Sequence, residues 1–283
     1  MKPETLIAKV QDLRAPSPSV AKLMTLLRNP NRDNADVVQV IKYDTVLTAK
    51  LLAACNSACY GLAQPIDSLE RAVLHLGSRE IYRLVLSLDL GAALRRELAG
   101  YAIGKDELWR HSLTTAFLAE CLAAGPCAAV ADASVAYTAG LLHDIGKLAF
   151  NQALNEPTQN AILGLIERSG QSRLAAERAV LETDHAEVGA CLLRRWKLSD
   201  TLVEAVANHH RPLLRPRPRA SAIVHVANCL AHEIGSAPGW AAHAMAADER
   251  AAKALGLDSE AIQRLLITAY EKLQVVEDMV AIG

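Results

Sequence analysis

The segment LLHDIGK, residues 141–147, ends an apolar helical pattern and places His143 directly before Asp144. This pair offers one neutral nitrogen ligand and one anionic oxygen ligand, a mixture that borderline divalent metals favour. Side chains that could join the pair are spread along the rest of the chain. The sequence therefore predicts a metal or phosphate site here, and the further candidate ligands are His111, His185, His209 and His210.

Composition narrows the classes of protein that fit. A chain of 283 residues can bury a large core, as one domain or two. Half of the residues are apolar but only 4% are aromatic, which favours closely packed helices. The net charge of −1 gives no overall electrostatic reason to bind nucleic acid or an anionic membrane surface. No apolar run reaches transmembrane length and no signal peptide is evident, so we expect no membrane association.

The cysteines are scattered and mostly fall within apolar helical patterns. We interpret them as reduced core residues of a cytoplasmic protein, and not as a disulfide framework. The six are Cys55, Cys59, Cys121, Cys127, Cys191 and Cys229.

The apolar spacing predicts helices and no strand of any length. Apolar residues recur at intervals of three and four, and Gly125-Pro126 is one of several breaks between such runs. Asp184, directly before His185, is a predicted N-cap. A composition shift between Leu98 and Lys105 suggests a boundary, so we predict an all-α, multi-helical protein with domains at 1–104 and 105–283. The predicted helical runs are Val20 to Leu27, Val37 to Ile41, Leu47 to Ala54, Ile81 to Leu94 and Leu113 to Ala123.

The segment RPLLRPRPR at 211–219 contains three prolines and four arginines, which exclude a regular helix. Two interpretations remain open. It is either a solvated linker, as charge runs usually are, or a basic lip that attracts phosphate to the neighbouring histidines. It lacks interleaved aromatic residues, so nucleic-acid binding is not expected.

The order of these motifs resembles the HD superfamily of metal-dependent phosphohydrolases. DHAEVGA at 184–190 and ANHH at 207–210 are similar to the HD-GYP subgroup, which cleaves cyclic di-nucleotides. The N-terminal half instead resembles the HDOD family, in which an added helical part packs on a degenerate HD core and no enzymatic activity is established for the group as a whole. The segments that carry this second resemblance are APSPSV at 15–20, IKYDTVLTAKLL at 41–52, CNSACYGL at 55–62 and IDSLERAVLHLGSREI at 66–81.

The resemblance implies two metal positions. The first would use His111, His143, Asp144 and a late aspartate, whose position in VHVAN is occupied by Asn228. The second would share Asp144 and add His185 with His209, His210 or both. Losing one carboxylate weakens metal retention without abolishing Lewis acidity. The metal would be iron, manganese, zinc or nickel.

We therefore expect a regulatory, bacterial-type signalling protein that acts through an unidentified protein partner. Its degenerate HD pocket would bind a metal, a nucleotide or phosphate. The alternative is a metal-dependent phosphohydrolase or cyclic di-nucleotide phosphodiesterase, with Asp144 and Lys147 as catalytic candidates. Lys147 either contacts phosphate or balances the helix C-terminal carbonyls by its charge. Arg211-Pro212-Leu213 stands where HD-GYP enzymes carry glycine-tyrosine-proline, which argues against that alternative.

Overall fold

The described part of the chain is built from helices and contains no β-strand beyond the isolated bridge between Leu98 and Ile103. A computed structural model describes residues 1–11, 13–27, 29, 33–57, 60, 64–212, 219–236, 238 and 249–282, with side chains through residue 270. The all-α prediction is confirmed. The helices are α1 (Pro3–Ala8), α2 (Pro18–Leu26), α3 (Asn34–Ile41), α4 (Thr45–Cys55), α5 (Leu69–Leu94), α6 (Glu107–Ala124), α7 (Ala133–Leu142), α8 (Ile145–Ala153), α9 (Glu156–Ser169), α10 (Arg173–Leu181), α11 (His185–Arg195), α12 (Asp200–Ala207), α13 (Ala220–Glu233), α14 (Glu249–Ala254) and α15 (Ser259–Ile282).

The chain divides into two compact units. One comprises Met1–Arg14 with Leu94–Lys272, and the other comprises Ala15–Ala93 with Leu273–Gly283. The second unit contains α2 to α5, and α5 is interrupted at Gly77, whose φ of 80° lies in the left-handed region that glycine tolerates best. The predicted domain division at residues 104 and 105 stays a prediction.

The larger unit has a core between α6, α7 and α13, which pack against one another, and α13 also packs against α14. Its side chains are small or aliphatic, as the composition predicted, and this lets the helices approach closely. At Gly140 of α7, an added Cβ would lie 2.7 Å from the Cα of Ala116 on α6. The core residues include Leu118, Leu122, Ile223, Val226, Leu230, Leu255 and Leu265.

Helix ends are set by local signals. α6 ends at Ala124 before Gly125, as predicted, and Asp184 caps α11 by accepting a 2.9 Å hydrogen bond from the backbone N–H of Glu187.

Five of the six cysteines are described, and they are free thiols. Cys59 lies outside the described residues. None of the helices searched among the described residues has the length and apolar character that a membrane crossing requires.

Candidate metal centre

The predicted ligands lie close together in the structure, although they come from helices that are far apart in sequence. His143 is the cap residue directly after α7, and Asp144 is the N-cap of α8. His185 is the first residue of α11, and His209 and His210 follow α12. His111 lies in the first half of α6. Helices α8 and α11 pack together, as do α11 and α12, and α6 and α7. These packings bring six of the seven predicted ligands together.

One oxygen of Asp144 faces the first group of histidines. Oδ2 of Asp144 lies 3.3 Å from Nε2 of His143 and 3.7 Å from Nε2 of His111. The ammonium of Lys147 lies 2.5 Å from the same oxygen. All four side chains are buried, so this group is shielded from water. The candidate ligand atoms of Asp144, His111 and His143 lie within 4.8 Å of one another.

The other oxygen of Asp144 faces a second group of histidines, His185, His209 and His210. Oδ1 lies 3.4 Å from Nε2 of His185 and 3.8 Å from Nε2 of His209. Nε2 of His210 lies 2.8 Å from Nε2 of His185. These four residues also offer ligand atoms within 4.8 Å of one another. Asp144 therefore has the position of a carboxylate that could bridge two cations.

Hydrogen bonds at Nδ1 turn the rings so that Nε2 points inward. Each partner is an acceptor, so Nδ1 carries the hydrogen and Nε2 of a neutral ring keeps its lone pair. Metal-binding histidines are oriented by the same kind of partner. Nδ1 of His111, His143 and His209 donates to the carbonyl oxygens of Ser236, Gly140 and Val206, and Nδ1 of His185 donates to the carboxylate of Glu177, each at 2.7 Å.

The resulting arrangement fits a cation. Nε2 of His111 and Nε2 of His143 face each other at 3.2 Å, although both rings have already committed their Nδ1–H groups elsewhere. Two opposed lone pairs at this distance repel unless a proton or a metal ion lies nearby. Nε2 of His209 and Oδ1 of Asp144 are buried without a hydrogen-bond partner. A divalent metal ion that prefers nitrogen and oxygen ligands could be coordinated by these atoms.

Asp144 also departs from the usual role of an aspartate at a helix start. It occupies the N-cap position of α8, where the carboxylate normally accepts a backbone N–H bond. Its side chain makes no such bond and turns to the histidines instead. Burial alone would raise the pKa of Asp144, but His143, Lys147 and His185 outweigh it and hold that pKa well below its ordinary value. The carboxylate is therefore ionised.

The histidines differ in charge. Burial is the main reason that the pKa values of His111, His209 and His210 lie well below the ordinary value, and neighbouring histidines lower them further. These rings are neutral at neutral pH. For His185, burial is outweighed by the charge of Glu177, by the hydrogen bond to Glu177 and by the charge of the nearby Asp144, which together raise its pKa to about 9.

The structure gives less about Asn228 and the arginine segment than about the six clustered ligands. Asn228 is buried on α13, a helix that packs against α6 and α12, and its Oδ1 has no hydrogen-bond partner. Its role as a ligand stays a prediction, as do the ligand roles of the histidines and Asp144. Most of the arginine segment, residues 213–218, lies outside the described residues. His225, on the same helix as Asn228, donates from Nδ1 to the carbonyl oxygen of His209 at 2.8 Å.

Glu177 was not among the predicted site residues, although it holds His185 in place. This fully buried carboxylate accepts from both the backbone N–H and Nδ1 of His185, at 2.9 Å and 2.7 Å. Its pKa is about 2, because His185, Tyr101 and Arg173 outweigh the opposing effect of burial. One signal was present: Glu177 lies four residues before the buried Leu181, on the inward face of α10.

The comparisons with known proteins agree with this fold. The sequence profile of the HDOD domain matches residues 13–212. The chain therefore belongs to the HDOD domain family, as the motifs predicted. An uncharacterized protein of Treponema pallidum is 27% identical over 207 residues, a match that covers 71% of this chain and 38% of that protein. The chain thus spans well under half the length of this curated relative.

Solved structures from three bacteria are also similar. An HDOD domain protein of unknown function from Geobacter sulfurreducens has a TM-score of 0.75 at 22% identity, covering 99% of this chain and 95% of that one. A proposed phosphohydrolase from Shewanella amazonensis has a TM-score of 0.71 at 22% identity, and the match covers 98% of this chain and 97% of that one. A proposed signal transduction protein from Marinobacter aquaeolei has a TM-score of 0.79 at 23% identity, and the match covers 99% of this chain and 65% of that one. At these identities the likeness shows a shared fold.

Chelator-treated protein is expected to be most stable near pH 6.5. Below that pH, stability falls because the folded state keeps His111, His209 and His210 neutral while the unfolded chain takes up protons. Above it, stability falls towards pH 9 because the folded state retains the proton of His185, whose folded pKa is about 9. Thermal melts from about pH 5 to about pH 10 measure this. Glu177→Gln should flatten the alkaline side, and an unchanged alkaline slope in that variant would contradict the assignment.

Proposed function

We propose that this HDOD protein is a regulatory signalling protein that acts through contacts with a protein partner. Its HD-type pocket binds a divalent metal ion, of the iron, manganese, zinc or nickel class, and does not catalyse a reaction at a useful rate. The observation that carries this proposal is that a single carboxylate, Asp144, serves both donor groups among the described residues.

The charge of the pocket supports a binding role. The remaining donors in the two groups are imidazoles, and three of them are neutral, so Asp144 is the only carboxylate of these groups that could contact a bound metal. The Glu177 carboxylate lies behind His185 and is paired with Arg173. Lys147 adds a further positive charge 2.5 Å from Asp144. Two divalent ions held by one carboxylate beside an ammonium would leave a large uncompensated charge in a buried site. The pocket therefore favours fewer metals than a dinuclear hydrolase uses.

The second candidate is a metal-dependent phosphohydrolase or cyclic di-nucleotide phosphodiesterase. Lys147 favours it, because this buried ammonium next to the pocket could contact a phosphate group. The histidines and Asp144 would hold the ion, and a bound metal would supply Lewis acidity and a more acidic water. The absence of glycine-tyrosine-proline after His210 disfavours cyclic di-nucleotides as substrates.

Metal analysis of protein purified without added metal, followed by a phosphodiesterase assay with manganese or iron, tests the proposal. We expect the purified protein to contain measurable metal and to hydrolyse cyclic di-nucleotides very slowly or not at all. Rapid hydrolysis that disappears in Lys147→Met would favour the second candidate. Protein that binds none of the four metals would overturn the metal-binding part of the proposal.

Asn228→Asp is expected to raise affinity for manganese roughly tenfold, because a carboxylate adds an anionic oxygen to a sphere rich in neutral imidazoles. The same change should lower the melting temperature of chelator-treated protein, because the new charge is buried at a residue that is 2% exposed. Calorimetric titration measures the affinity. Asn155→Asp is the control, because Asn155 caps α9 and aspartate caps equally well. Equal or weaker binding by Asn228→Asp would mean that Asn228 is not a ligand.

A further inference from the structure

A buried chain of polar groups leads from the candidate metal centre to a loop outside it. The hydroxyl of Tyr101 donates to Oε1 of Glu177 at 2.7 Å, and Oε2 of Glu177 accepts from Nδ1 of His185 at 2.7 Å. Tyr101, Glu177 and His185 are each at most 5% exposed. Hydrogen bonds in such a dry environment are strong and costly to lose.

Both oxygens of Glu177 are fully used. Oε2 accepts the ring and backbone N–H groups of His185, and Oε1 accepts Tyr101 together with Nε of Arg173 at 3.3 Å. Rotating this carboxylate to follow one partner would break its bonds to the others. The orientation of His185 and the position of Tyr101 are therefore tied to one rigid group.

Tyr101 belongs to the loop that joins α5 to α6, which lies in the larger compact unit. Arg173 also holds this loop in place. Its guanidinium group stacks 3.8 Å above the Tyr101 ring and donates from Nη2 to the carbonyl oxygen of Gly100 at 2.6 Å. Within the loop, Ala102 and Asp106 have φ values of 49° and 68°. Residues other than glycine adopt this region at a cost, so the loop depends on outside contacts for its order.

We propose that Tyr101 and Glu177 are positioning residues that couple metal occupancy at His185 to the order of loop residues 98–103. The inference rests on the proposed function, since it requires a metal at the centre. A cation on Nε2 of His185 would fix the position of this ring, which keeps its Nδ1–H against the Glu177 carboxylate and so fixes the acceptor of Tyr101. Coupling of this kind is reciprocal, so ordering the loop also strengthens metal binding.

Amide hydrogen exchange on the full chain, with and without zinc, measures one direction of the coupling. The reporters are the N–H groups of Leu98, Tyr101, Ala102 and Ile103, which make hydrogen bonds inside the loop. Zinc is expected to slow their exchange several-fold in the unaltered chain. In Tyr101→Phe, zinc should still bind but should no longer slow exchange in the loop.

Zinc affinities measure the other direction. Glu177→Gln is expected to weaken binding by about 10- to 100-fold, as loss of an outer-shell partner usually does, and Tyr101→Phe by roughly 3-fold. Since Tyr101 acts through Glu177, adding Tyr101→Phe to Glu177→Gln should cause no further loss. Glu187→Gln is the matched control: Glu187 lies on the same helix as His185 and bonds Arg178 and Thr183. It should keep the original affinity.

The outcomes separate this inference from the function on which it rests. If the unaltered chain binds no zinc and none of the other three metals, both fail. If zinc binds but loop exchange is unchanged, or if the two substitutions weaken binding additively, the coupling is wrong while the metal centre stands. The exchange experiment on the unaltered chain needs no variant, so a folding defect in Tyr101→Phe would not block the test.

Discussion

Asp144→Asn is expected to lower affinity for zinc or manganese by about 100-fold or more, the largest effect of any single ligand change. The reason is that Asp144 is common to both donor groups and supplies their only carboxylate among the described residues. Each of the histidines belongs to one group, so removing one leaves the other group intact. Calorimetric titration of chelator-treated protein measures the loss.

A folding defect must be separated from the loss of a ligand. Asp144→Asn leaves the ammonium of Lys147 buried without its 2.5 Å partner, and breaking such a pair typically destabilises a protein by about 3–5 kcal/mol. The double variant Asp144→Asn with Lys147→Met removes that unpaired charge and should still fail to bind. Asp132→Asn, at an exposed N-cap of α7, is the control for loss of an aspartate elsewhere. Undiminished metal binding by either Asp144 variant would place the site elsewhere.

Gly146→Ala is expected to destabilise the protein by about 3 kcal/mol or more. An added Cβ would lie 1.8 Å from the carbonyl oxygen of His185 and 2.8 Å from the backbone nitrogen of Gly189. Both obstacles are backbone atoms of α11, so the two helices would have to separate. That movement would also draw His185 away from Asp144, so metal affinity should fall together with the melting temperature.

The sign of the Gly146→Ala result is informative. Alanine is favoured over glycine inside a helix by about 1 kcal/mol, so a site with free space would be stabilised by this change. Thermal or denaturant unfolding distinguishes the two outcomes. Gly104→Ala is the matched control, because its Cβ would meet nothing closer than the flexible Glu107 side chain at 3.4 Å. A gain in stability for Gly146→Ala would mean that α8 and α11 are not in backbone contact.

Much of the fold could be predicted from local pattern. The runs Leu47 to Ala54 and Leu113 to Ala123 fall within α4 and α6, since spacing of three and four residues is itself the condition for burying one face of a helix. Gly125 and Asp184 ended and began helices where expected, because caps satisfy backbone groups within a few residues of themselves. The interruption of α5 at Gly77 was not predicted, because an isolated glycine is compatible with a continuous helix.

The sequence alone determined the helical class, the family and the residues able to coordinate a metal, because each depends on residue type and short-range spacing. The tertiary structure decided which atoms of those residues face one another. It divided the Asp144 oxygens between two groups of histidines. No local rule encodes such contacts, because they depend on the close approach of helix backbones, as at Gly146, between segments about 40 residues apart in the chain.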